Sequence, residues 1–498
     1  MLDADGGTCR SGRSARSAPG VSVGGTRLMS ASISQFRSQA DSAINDLPLQ
    51  EAIDTATGNF WRGREGALEE LPDSEGLRDH FKAIRSATLA QLDEHLESFE
   101  SNAKAAGTHV HWAEDAAEAC RIVIDIGKTR GVTLATKGKS MASEEIHLGV
   151  ALEEAGIESV ETDLGEWIIQ LAGDPPFHII APAIHKRRDE IVTLIENASG
   201  ESLQSAEIED LVAASRRLLR SRFLSAGMGI TGGNILVSET GSLVLVENEG
   251  NGRFVSASPP VHIALVGLEK VVPTWDDAAV WLQLLARSST GQPLSVYTNV
   301  VTGPRKVDDE DGPEEVHIIL LDNGRSQLLG GKYEEILQCI RCGACLNICP
   351  VYREVGGHTY RSPYSGPIGA VITPLLMGLE EYPALPQASS LCGACRDVCP
   401  ARIDLPRMLV ELRNDEVEQG LVPWSVRRAE EAAAWMLMDV DRYRRLTGLM
   451  RTAQLPVLKD GDLRMPSFLD PSKGRKLKGL APRPFREIWQ SELEGGDG

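Results

Sequence analysis

Two runs of closely spaced cysteines constrain this chain more than any other feature of its sequence. The first run, residues 339–350, reads C-x2-C-x2-C-x3-C-P, and the second, residues 392–400, repeats it without the first cysteine. Three thiolates spaced in this way can bind one iron–sulfur cube, while the cysteine before the proline usually binds the other cube. The spacing therefore predicts two iron–sulfur clusters rather than zinc or unliganded thiols in a core.

The runs supply seven cysteines, one fewer than two four-ligand clusters need. The crossing rule assigns four of them to a first cluster: Cys339, Cys342, Cys345 and Cys399. It assigns the other three to a second cluster: Cys349, Cys392 and Cys395. The expected place of the eighth ligand, three residues before Cys392, is held by Ser389. The second site could hold a [3Fe-4S] cluster, a [4Fe-4S] cluster with serine or another non-cysteine ligand, or a [4Fe-4S] cluster with one open iron.

Electron relay is the role that we expect for the paired clusters, because clusters held in one fold are close enough to exchange electrons. An open iron acting as a Lewis acid on a hydroxy acid is the alternative. Between the runs, the glycine-rich loop 356–360 and the apolar stretch 364–370 are expected to shield the clusters and donate amides to sulfur. His358 and Tyr360 are candidate contacts for a substrate or partner.

Charge and cysteine usage limit the setting in which the chain can work. A net charge of −20 over 498 residues argues against nucleic acid or an anionic membrane as a partner, since either requires a basic surface. Seven of the nine cysteines lie in the runs, which indicates metal binding in a reducing compartment. We therefore expect a cytoplasmic protein. The longest apolar stretches are too short for a direct membrane span.

Composition and periodicity divide the chain into five segments. We expect a disordered leader (1–33), a helical lead-in (34–106), an α/β domain (107–324), a two-cluster domain (325–420), and a helical C-terminal segment with a basic tail (421–498). Met29 would be a natural start within the leader, and Cys9 has no expected role. The tail from 473 to 486 is expected to be solvated, with docking to an acidic partner as the alternative.

Strand and helix patterns alternate from Thr108 onward and predict parallel strands with helical crossovers. The expected strands include 109–112, 132–135, 159–161, 177–182, 261–267, 295–301 and 316–321. Cys120 lies on an apolar helical stripe and is expected to be a buried structural thiol. His178 and His185 flank the 177–182 segment without metal spacing, so we expect hydrogen-bonded structural roles for them.

Two glycine-containing motifs require separate interpretation. Residues 227–232 match G-x-G-x-x-G, but a hairpin follows them, and the helix that would make the motif a dinucleotide site is not predicted. The glycines are expected in tight turns, or with residues 248–251 in a small-molecule cleft. Residues 136–140 lack the glycine of a P-loop, so Lys137 and Lys139 either hold an anion at a helix start or belong to an exposed turn.

Taken together, these stretches resemble the iron–sulfur B-type subunit of the bacterial lactate-utilization complex over residues 33–490. The shared marks are ETDLGEWIIQ (161–170), GITGGN (229–234), NEGNGR (248–253), GHTY (357–360) and both cysteine runs. The leader before Met29 departs from the family pattern.

The resemblance implies an α/β domain with a mixed sheet, similar to the ribose-phosphate isomerase and CoA-transferase architecture, followed by an α-helical two-cluster ferredoxin-like domain. It also implies two [4Fe-4S] clusters and cytoplasmic oxidation of L-lactate to pyruvate together with two other subunits. The catalytic residues and the downstream electron acceptor stay unknown. The cysteine module alone is also similar to iron–sulfur subunits of glycolate-type oxidases, so another 2-hydroxy acid is the alternative substrate. A scaffold that binds an anionic metabolite and reports redox state is a third hypothesis.

Overall fold

A computed structural model describes residues 32–203, 205–463 and 477–494. The chain forms two compact units, Met1–Asn414 and Asp415–Gly498. Most of the expected leader, with Cys9 and Met29, lies outside the described residues, as does the part of the basic tail from 473 to 476.

Four helices precede the first strand, in the region where the sequence predicts a helical lead-in. They are α1 (Ile33–Ile44), α2 (Leu47–Glu69), α3 (Ser74–Ala90) and α4 (Leu92–Ala105). Side-chain caps begin the first three: Ser32 and Gln35 form a capping box at α1, Asp46 caps α2, and Asp73 caps α3. Helix α2 packs against elements of both the α/β and the cysteine-containing parts of the first unit.

The α/β part of the first unit contains two sheets. Its strands in chain order are β1 (His109–Ala113), β2 (Leu134–Lys137), β3 (Glu158–Glu161), β4 (Met228–Thr231), β5 (Ile235–Val237), β6 (Ser242–Glu247), β7 (Val261–Gly267), β8 (Val271–Val272), β9 (Tyr297–Val301) and β10 (Glu315–Leu321). The helices among them are α5 (Ala116–Thr129), α6 (Met141–Glu145), α7 (Leu148–Glu154), α8 (Leu164–Ala172), α9 (Arg188–Ser199), α10 (Ile208–Ser225), α11 (Asn251–Ala257) and α12 (Trp275–Ser289).

The larger sheet has six strands in the order β1-β10-β7-β4-β2-β3, and every pair is parallel. Strand β7 is buried along its whole length, as expected for an apolar strand covered on both faces. The smaller sheet, β8-β5-β6-β9, contains the predicted β5–β6 hairpin and pairs antiparallel except between β5 and β8. The expected α/β fold with a mixed arrangement of strands is confirmed.

The chain reverses its direction across the larger sheet between two neighbouring strands. From β2 it crosses outward to β3, and from β4 it crosses the other way to β7. In open α/β sheets such a reversal leaves a crevice outside the carboxyl ends of the two strands, and ligands bind there. Here the crevice lies where β2 ends at Lys137 and β4 ends at Thr231.

Two local expectations are wrong. Residues 177–182 form no strand. Pro175, Pro176 and Pro182 have no amide hydrogen to donate to a neighbouring strand. The Phe177 amide instead donates to the Pro182 carbonyl at 3.0 Å, within the loop. Gly229 serves no turn. It lies inside β4, where a Cβ atom would approach the Val255 carbonyl oxygen of α11 to 1.8 Å, so the glycine permits close packing of helix on strand.

Short helices carry the cysteine runs, as predicted for a helical module. They are α13 (Ala344–Ile348), α14 (Pro350–Val355), α15 (Gly366–Met377), α16 (Ala394–Asp397) and α17 (Leu405–Glu418). A 3₁₀ turn, Glu334–Gln338, delivers the chain into Cys339. Helix α15 is apolar and buried from Gly366 to Pro374.

The second unit contains α18 (Trp424–Leu437), α19 (Val440–Ala453), α20 (Phe485–Ile488) and a small antiparallel sheet. Its strands are β11 (Leu458–Lys459), β12 (Asp462–Leu463) and β13 (Leu477–Lys478). Across the residues that the structure describes, no helix combines the length and the apolar composition that a bilayer crossing needs.

Candidate iron–sulfur sites and the adjoining cavity

The run cysteines gather into two groups. In the first group, burial raises the pKa of the Cys342 thiol to about 12, and repulsion from Cys399 and Cys339 adds to the effect. Burial and the charges of Cys339, Cys342, Cys395 and Cys399 likewise raise the pKa of Cys345. The first group is therefore Cys339, Cys342, Cys345 and Cys399.

The second group forms in the same way from the remaining three cysteines. Burial raises the pKa of Cys395 to about 12, with added repulsion from Cys349 and Cys392. These three cysteines are the second group. The two groups adjoin, because Cys395 is also among the charged neighbours of Cys345. The spacing divides the cysteines in the same way, and the binding of one cluster by each group stays a prediction.

The two groups suit iron–sulfur clusters on chemical grounds. Their cysteines are free thiols, and crowded thiols with raised pKa values need metal ions to ionise together. Main-chain amides already point at sulfur: Arg341 N donates to Cys339 Sγ and Tyr352 N donates to Cys349 Sγ, both at 3.4 Å. Within the described ranges no set of three or more ligating side chains could hold a single metal ion. An iron–sulfur cube does not need such a set, because each of its cysteine ligands binds a different iron ion.

A buried hydroxyl between the groups supports the same fit. Tyr360 has Cys349, Cys345 and Cys395 as charged neighbours, and its ring is fully buried. Among the described residues its hydroxyl has no hydrogen-bond partner. An unsatisfied buried hydroxyl is costly, and a cluster sulfur between these cysteines would accept a hydrogen bond from it.

Buried cations surround the first group. Arg64 of α2 donates to the Val398 carbonyl at 2.9 Å, and Arg78 of α3 donates to the Cys399 carbonyl at 2.8 Å. Arg85 donates to the Val271 carbonyl at 2.7 Å, and Lys270 donates to the Cys339 carbonyl at 2.8 Å. All four side chains are buried. Arg341, inside the first run, has Cys339 as its strongest charged neighbour.

Sequence reasoning missed these cations. The arginines on α2 and α3 fall on helix faces that the pattern of apolar residues marks as buried, which is the signal that could have identified them.

The second group has different surroundings. Cys392 is exposed, whereas each cysteine of the first group is buried or half-buried. The ring of Tyr352 is buried beside Cys349. Ser389, the candidate eighth ligand, accepts a hydrogen bond at its Oγ from Leu391 N at 3.1 Å, within its own loop.

The 177–182 loop and the two histidines join the α/β part to the cysteine module. His178 Nε2 lies 3.0 Å from Oδ1 of Asn347, which stands between Cys345 and Cys349. Burial lowers the pKa of His178 to about 4, so the ring is neutral at pH 7. His185 lies 3.2 Å from Asp174, and His358 bonds the Pro175 carbonyl at 2.9 Å. These are structural contacts of the kind expected for His178 and His185.

A cavity of about 340 Å³ opens at the crevice between β2 and β4. Its lining contains both glycine motifs, through residues 138–140 and 231–234, and residues of the 248–251 stretch that was expected to line a cleft. The first cysteine run contributes Ile340 and Arg341. The cavity is thus shared between the end of the parallel sheet and the loop that joins Cys339 to Cys342.

The two lysines of the 136–140 motif have different roles. Lys137 is buried and paired with Glu144 at 3.0 Å and with Glu161, so the exposed-turn interpretation is wrong and this lysine is not free for an anion. Lys139 lines the cavity, and its Nζ donates to the Ile180 carbonyl at 2.6 Å.

Charged groups from several elements meet in this lining. Arg325 binds Glu145 with two nitrogens, at 2.8 and 2.9 Å, and Glu269 at 2.9 Å. Glu269 also lies 3.6 Å from Arg341 and 3.8 Å from Lys270. These residues form a dense, buried and mostly paired charge network.

Carboxylates lie elsewhere in the same lining. Burial and the charge of Asp163 raise the pKa of Glu249 to about 7, although Glu249 accepts a hydrogen bond from Leu164 N at 3.1 Å. The cavity can therefore offer both cationic donors and a carboxyl group that exchanges a proton near neutrality.

A second cavity, of about 470 Å³, is lined by Lys137, Glu161, Glu166 and Arg361 among others. Burial raises the pKa of Glu166 to about 8, and the Glu161 carboxylate adds to the effect. Glu249 belongs to the 248–251 stretch that was expected to line a cleft. Sequence reasoning gave no role to Glu166, and neither raised pKa could be read from local sequence.

Fold and site together define a class: an α/β LUD-domain protein that carries a helical 4Fe-4S dicluster module. The LUD domain family matches residues 96–321, and the 4Fe-4S dicluster domain family matches residues 335–403. The chain belongs to the lactate utilization protein B family. It is 40% identical to lactate utilization protein B of Shouchella clausii over 466 residues, which is 93% of this chain and 98% of that protein.

Other comparisons cover shorter parts of the chain. The lactate utilization protein B of Bacillus velezensis is 44% identical over 399 residues, 80% of this chain and 84% of that protein. A solved DUF162 family protein from Deinococcus radiodurans aligns with 46% of this chain and 98% of its own, at 16% identity and a TM-score of 0.27.

Proposed function

We propose that this protein is the iron–sulfur electron-transfer subunit of a cytoplasmic complex that oxidises L-lactate to pyruvate. The relatives carry lactate utilization in their names, and the matched module is described as a 4Fe-4S dicluster domain. The observation that carries the proposal is the gathering of seven cysteines into two adjoining groups, with Cys395 among the charged neighbours of Cys345.

The first group supplies four thiolates and is proposed to hold one [4Fe-4S] cluster. The second group supplies three, so its cluster is a [4Fe-4S] cluster with a further ligand, for which Ser389 is the candidate, a [4Fe-4S] cluster with one open iron, or a [3Fe-4S] cluster. Each cluster, when bound, accepts and donates one electron. Oxidation of lactate breaks its hydroxyl O–H bond and the C–H bond of the same carbon, forms a C=O bond and releases two electrons and two protons. Two adjoining one-electron carriers match the two electrons.

The surroundings of the groups suggest where partners bind. The first group is enclosed by the lead-in helices and the α/β part, whereas the second exposes Cys392. We place contact with a partner subunit or acceptor at that exposed side, where a cluster is near the surface. A net charge of −20 favours a positively charged surface on the partner. Two partner subunits are proposed, as in the family that the sequence resembles.

Anaerobic co-purification with the partner subunits tests the proposal. L-lactate is added to the assembled complex, and the clusters are followed by EPR spectroscopy and visible absorption. We expect lactate to reduce clusters in the wild-type complex and in Cys120→Ser, whose thiol lies outside both groups. Cys342→Ser should lose the response. Reduction by another 2-hydroxy acid but not by lactate would contradict the substrate, and no reduction by either would contradict the electron-transfer role.

A further inference from the structure

Arg341 occupies an unusual position between the cavity and the first group. It lies between Cys339 and Cys342, in the left-handed backbone region with φ of 60°, and its side chain lines the 340 Å³ cavity. A residue of this kind touches whatever fills the cavity and also belongs to the loop that carries two cysteines of the first group.

The guanidinium of Arg341 is held in place by its neighbours, but one of its nitrogens has no hydrogen-bond partner among the described residues. It lies over the Tyr364 ring, 4.9 Å from the ring centre, and Nη2 is 3.6 Å from Glu269. Nη1 is buried and has no hydrogen-bond partner in the described part of the chain. The side chain is about nine-tenths buried, at 10% exposure. A buried donor left without a partner is costly, so a ligand in the cavity is expected to accept from it.

The charges beside Arg341 favour an anion as that ligand, whereas the whole lining has four basic and four acidic residues. Arg325, Lys270 and Arg341 contribute three positive charges to the lining, and the carboxylates within their network are Glu145 and Glu269. Both carboxylates are bonded to Arg325, so they are already engaged. The planar fork of an arginine matches a carboxylate in geometry and charge.

The rest of the lining limits the size and charge of the anion. Asp163, Glu247 and Glu249 also line the cavity and would repel a polyanion such as a nucleotide. The volume is near the lower end of the range for small-molecule sites, about 300 to 1,000 Å³. A small monoanion with a hydroxyl or carbonyl group satisfies both limits, because the Glu249 carboxyl group can bond to the uncharged oxygen.

We propose that this cavity binds a small 2-hydroxy or 2-oxo monocarboxylate, with Arg341 donating to its carboxylate, beside the loop of the first cysteine group. The identity of the acid rests on the proposed function, whereas the anion site rests on the cavity and on Arg341. The electron donor or its product is then bound next to the group that is enclosed by cations, and the exposed second group is left for the partner.

The test measures binding to anaerobically reconstituted holoprotein by isothermal titration calorimetry with L-lactate, pyruvate and inorganic phosphate. Arg341→Gln removes the charge and keeps the main-chain amide that bonds Cys339. Arg361→Gln is the matched control: Arg361 has a similar backbone, with φ of 51°, and a buried nitrogen without a described partner, but it lines the other cavity. Arg341→Lys keeps the positive charge but loses the two parallel N–H donors of the guanidinium group.

We expect lactate or pyruvate to bind wild type and Arg361→Gln alike, and Arg341→Gln to weaken binding roughly tenfold or more. Arg341→Lys should fall between them. Ligand should also shift the EPR signal of the first group and leave that of the second unchanged in wild-type protein. This spectroscopic result does not depend on how well the variants fold, which iron content and melting temperature monitor.

Three results would overturn the inference: no carboxylate binding by wild type, equal weakening in Arg341→Gln and Arg361→Gln, or binding of phosphate in preference to both acids. A change in the first group's potential without ligand binding would show that Arg341 only balances cluster charge. If lactate reduces the assembled complex but does not bind here, the proposed function stands and this site fails. If the acids bind here but lactate reduces nothing, the site stands and the proposed function fails.

Discussion

The first group and the second group come from two nearly identical cysteine runs, yet the fold surrounds them with different chemistry. Side chains with positive charge lie beside the first group: the buried Arg64, Arg78, Arg85 and Lys270, and Arg341 at 10% exposure. The second group has tyrosine rings beside it and one exposed cysteine. Cluster potentials depend on nearby charge, hydrogen bonds to sulfur and solvent exposure, so similar ligand sets are given different electronic surroundings.

The difference teaches that two similar cysteine runs can lie in different surroundings, which the runs themselves do not specify. A cation near a cluster favours its reduced, more negative state. Apart from Arg341, which lies inside the first run, the cations of the first group come from α2, α3 and the β7–β8 connection, which lie far from the runs in sequence. The second group instead depends on the 177–182 loop, which holds the Tyr352 hydroxyl through the Phe177 carbonyl at 3.0 Å.

The largest expected effect tests whether the groups really cross between the runs. Cys399→Ser should remove the cluster of the first group, with a loss of about four irons per chain, although Cys399 belongs to the second run. Cys349→Ser should remove the other cluster, although it belongs to the first run. Iron analysis and EPR of the dithionite-reduced proteins measure this. If Cys399→Ser gives the spectrum of Cys395→Ser rather than that of Cys342→Ser, the division into groups is wrong.

A variant that disturbs packing beside the second group should make that group less stable to denaturation than the first group. A Cβ atom on Gly357 would lie 1.6 Å from the Phe177 carbonyl oxygen, so Gly357→Ala must displace the loop that supports the second group. We expect a loss of about 3 kcal/mol in the free energy of unfolding, with the second group's signal lost before the first's. Chemical denaturation of holoprotein measures the change. Gly66→Ala, where a Cβ meets nothing within 4 Å, is the control and should cost nothing.

Acid should weaken the contact at Asn347 through His178. The folded pKa of about 4 is below the ordinary value of 6.5, because burial disfavours the charged ring. The unfolded chain therefore binds a proton first, and stability present above pH 6.5 is lost as pH falls toward 4. At pH 5 this amounts to roughly 2 kcal/mol. Denaturation at pH 7 and pH 5 should show a smaller difference in His178→Gln than in wild type, and no such reduction in the exposed control His80→Gln.

The positive charges around the first group should raise the reduction potential of its cluster. Arg64→Gln removes one buried cation near Cys342 and keeps a donor toward the Val398 carbonyl. The lost attraction is on the order of 1 to 2 kcal/mol, which lowers the potential of the first cluster by roughly 50 to 100 mV and leaves the second nearly unchanged. Redox titration followed by EPR measures both. Arg62→Gln, an exposed arginine of the same helix, is the control; equal shifts in both variants would contradict the role of burial.

The smallest effect concerns the missing eighth ligand. Ser389→Cys places a thiol three residues before Cys392 and completes the second run. We expect wild type to show a [3Fe-4S]-type EPR signal after mild oxidation and the variant to lack it, with up to about one additional iron per chain. Ser389→Ala should keep the wild-type [3Fe-4S]-type signal, and a further loss of iron in this variant would show that Ser389 is a ligand. A [3Fe-4S]-type signal that persists in Ser389→Cys would show that position 389 cannot reach the second cluster.

Much of the α/β fold followed from local patterns. The helices of the lead-in, the β5–β6 hairpin and the buried strands β7 and β10 all lie where periodicity and turn residues predict them. The 177–182 segment did not, because its apolar residues pack against the cysteine module rather than pairing in a sheet. Lys137 also differed: an exposed turn was one expectation, but Glu144, seven residues further on, and Glu161 pair with it in the interior.

The sequence by itself determined the ligand chemistry, since ligands two or three residues apart reach one cluster through local backbone geometry alone. It also indicated that one cysteine is missing, at Ser389. Only the tertiary structure decided which cations enclose the first group, that Cys392 is exposed, and that the two glycine motifs meet Arg341 around one cavity. These features depend on strand order and helix packing, which place side chains more than two hundred residues apart in contact, and no local pattern encodes such contacts.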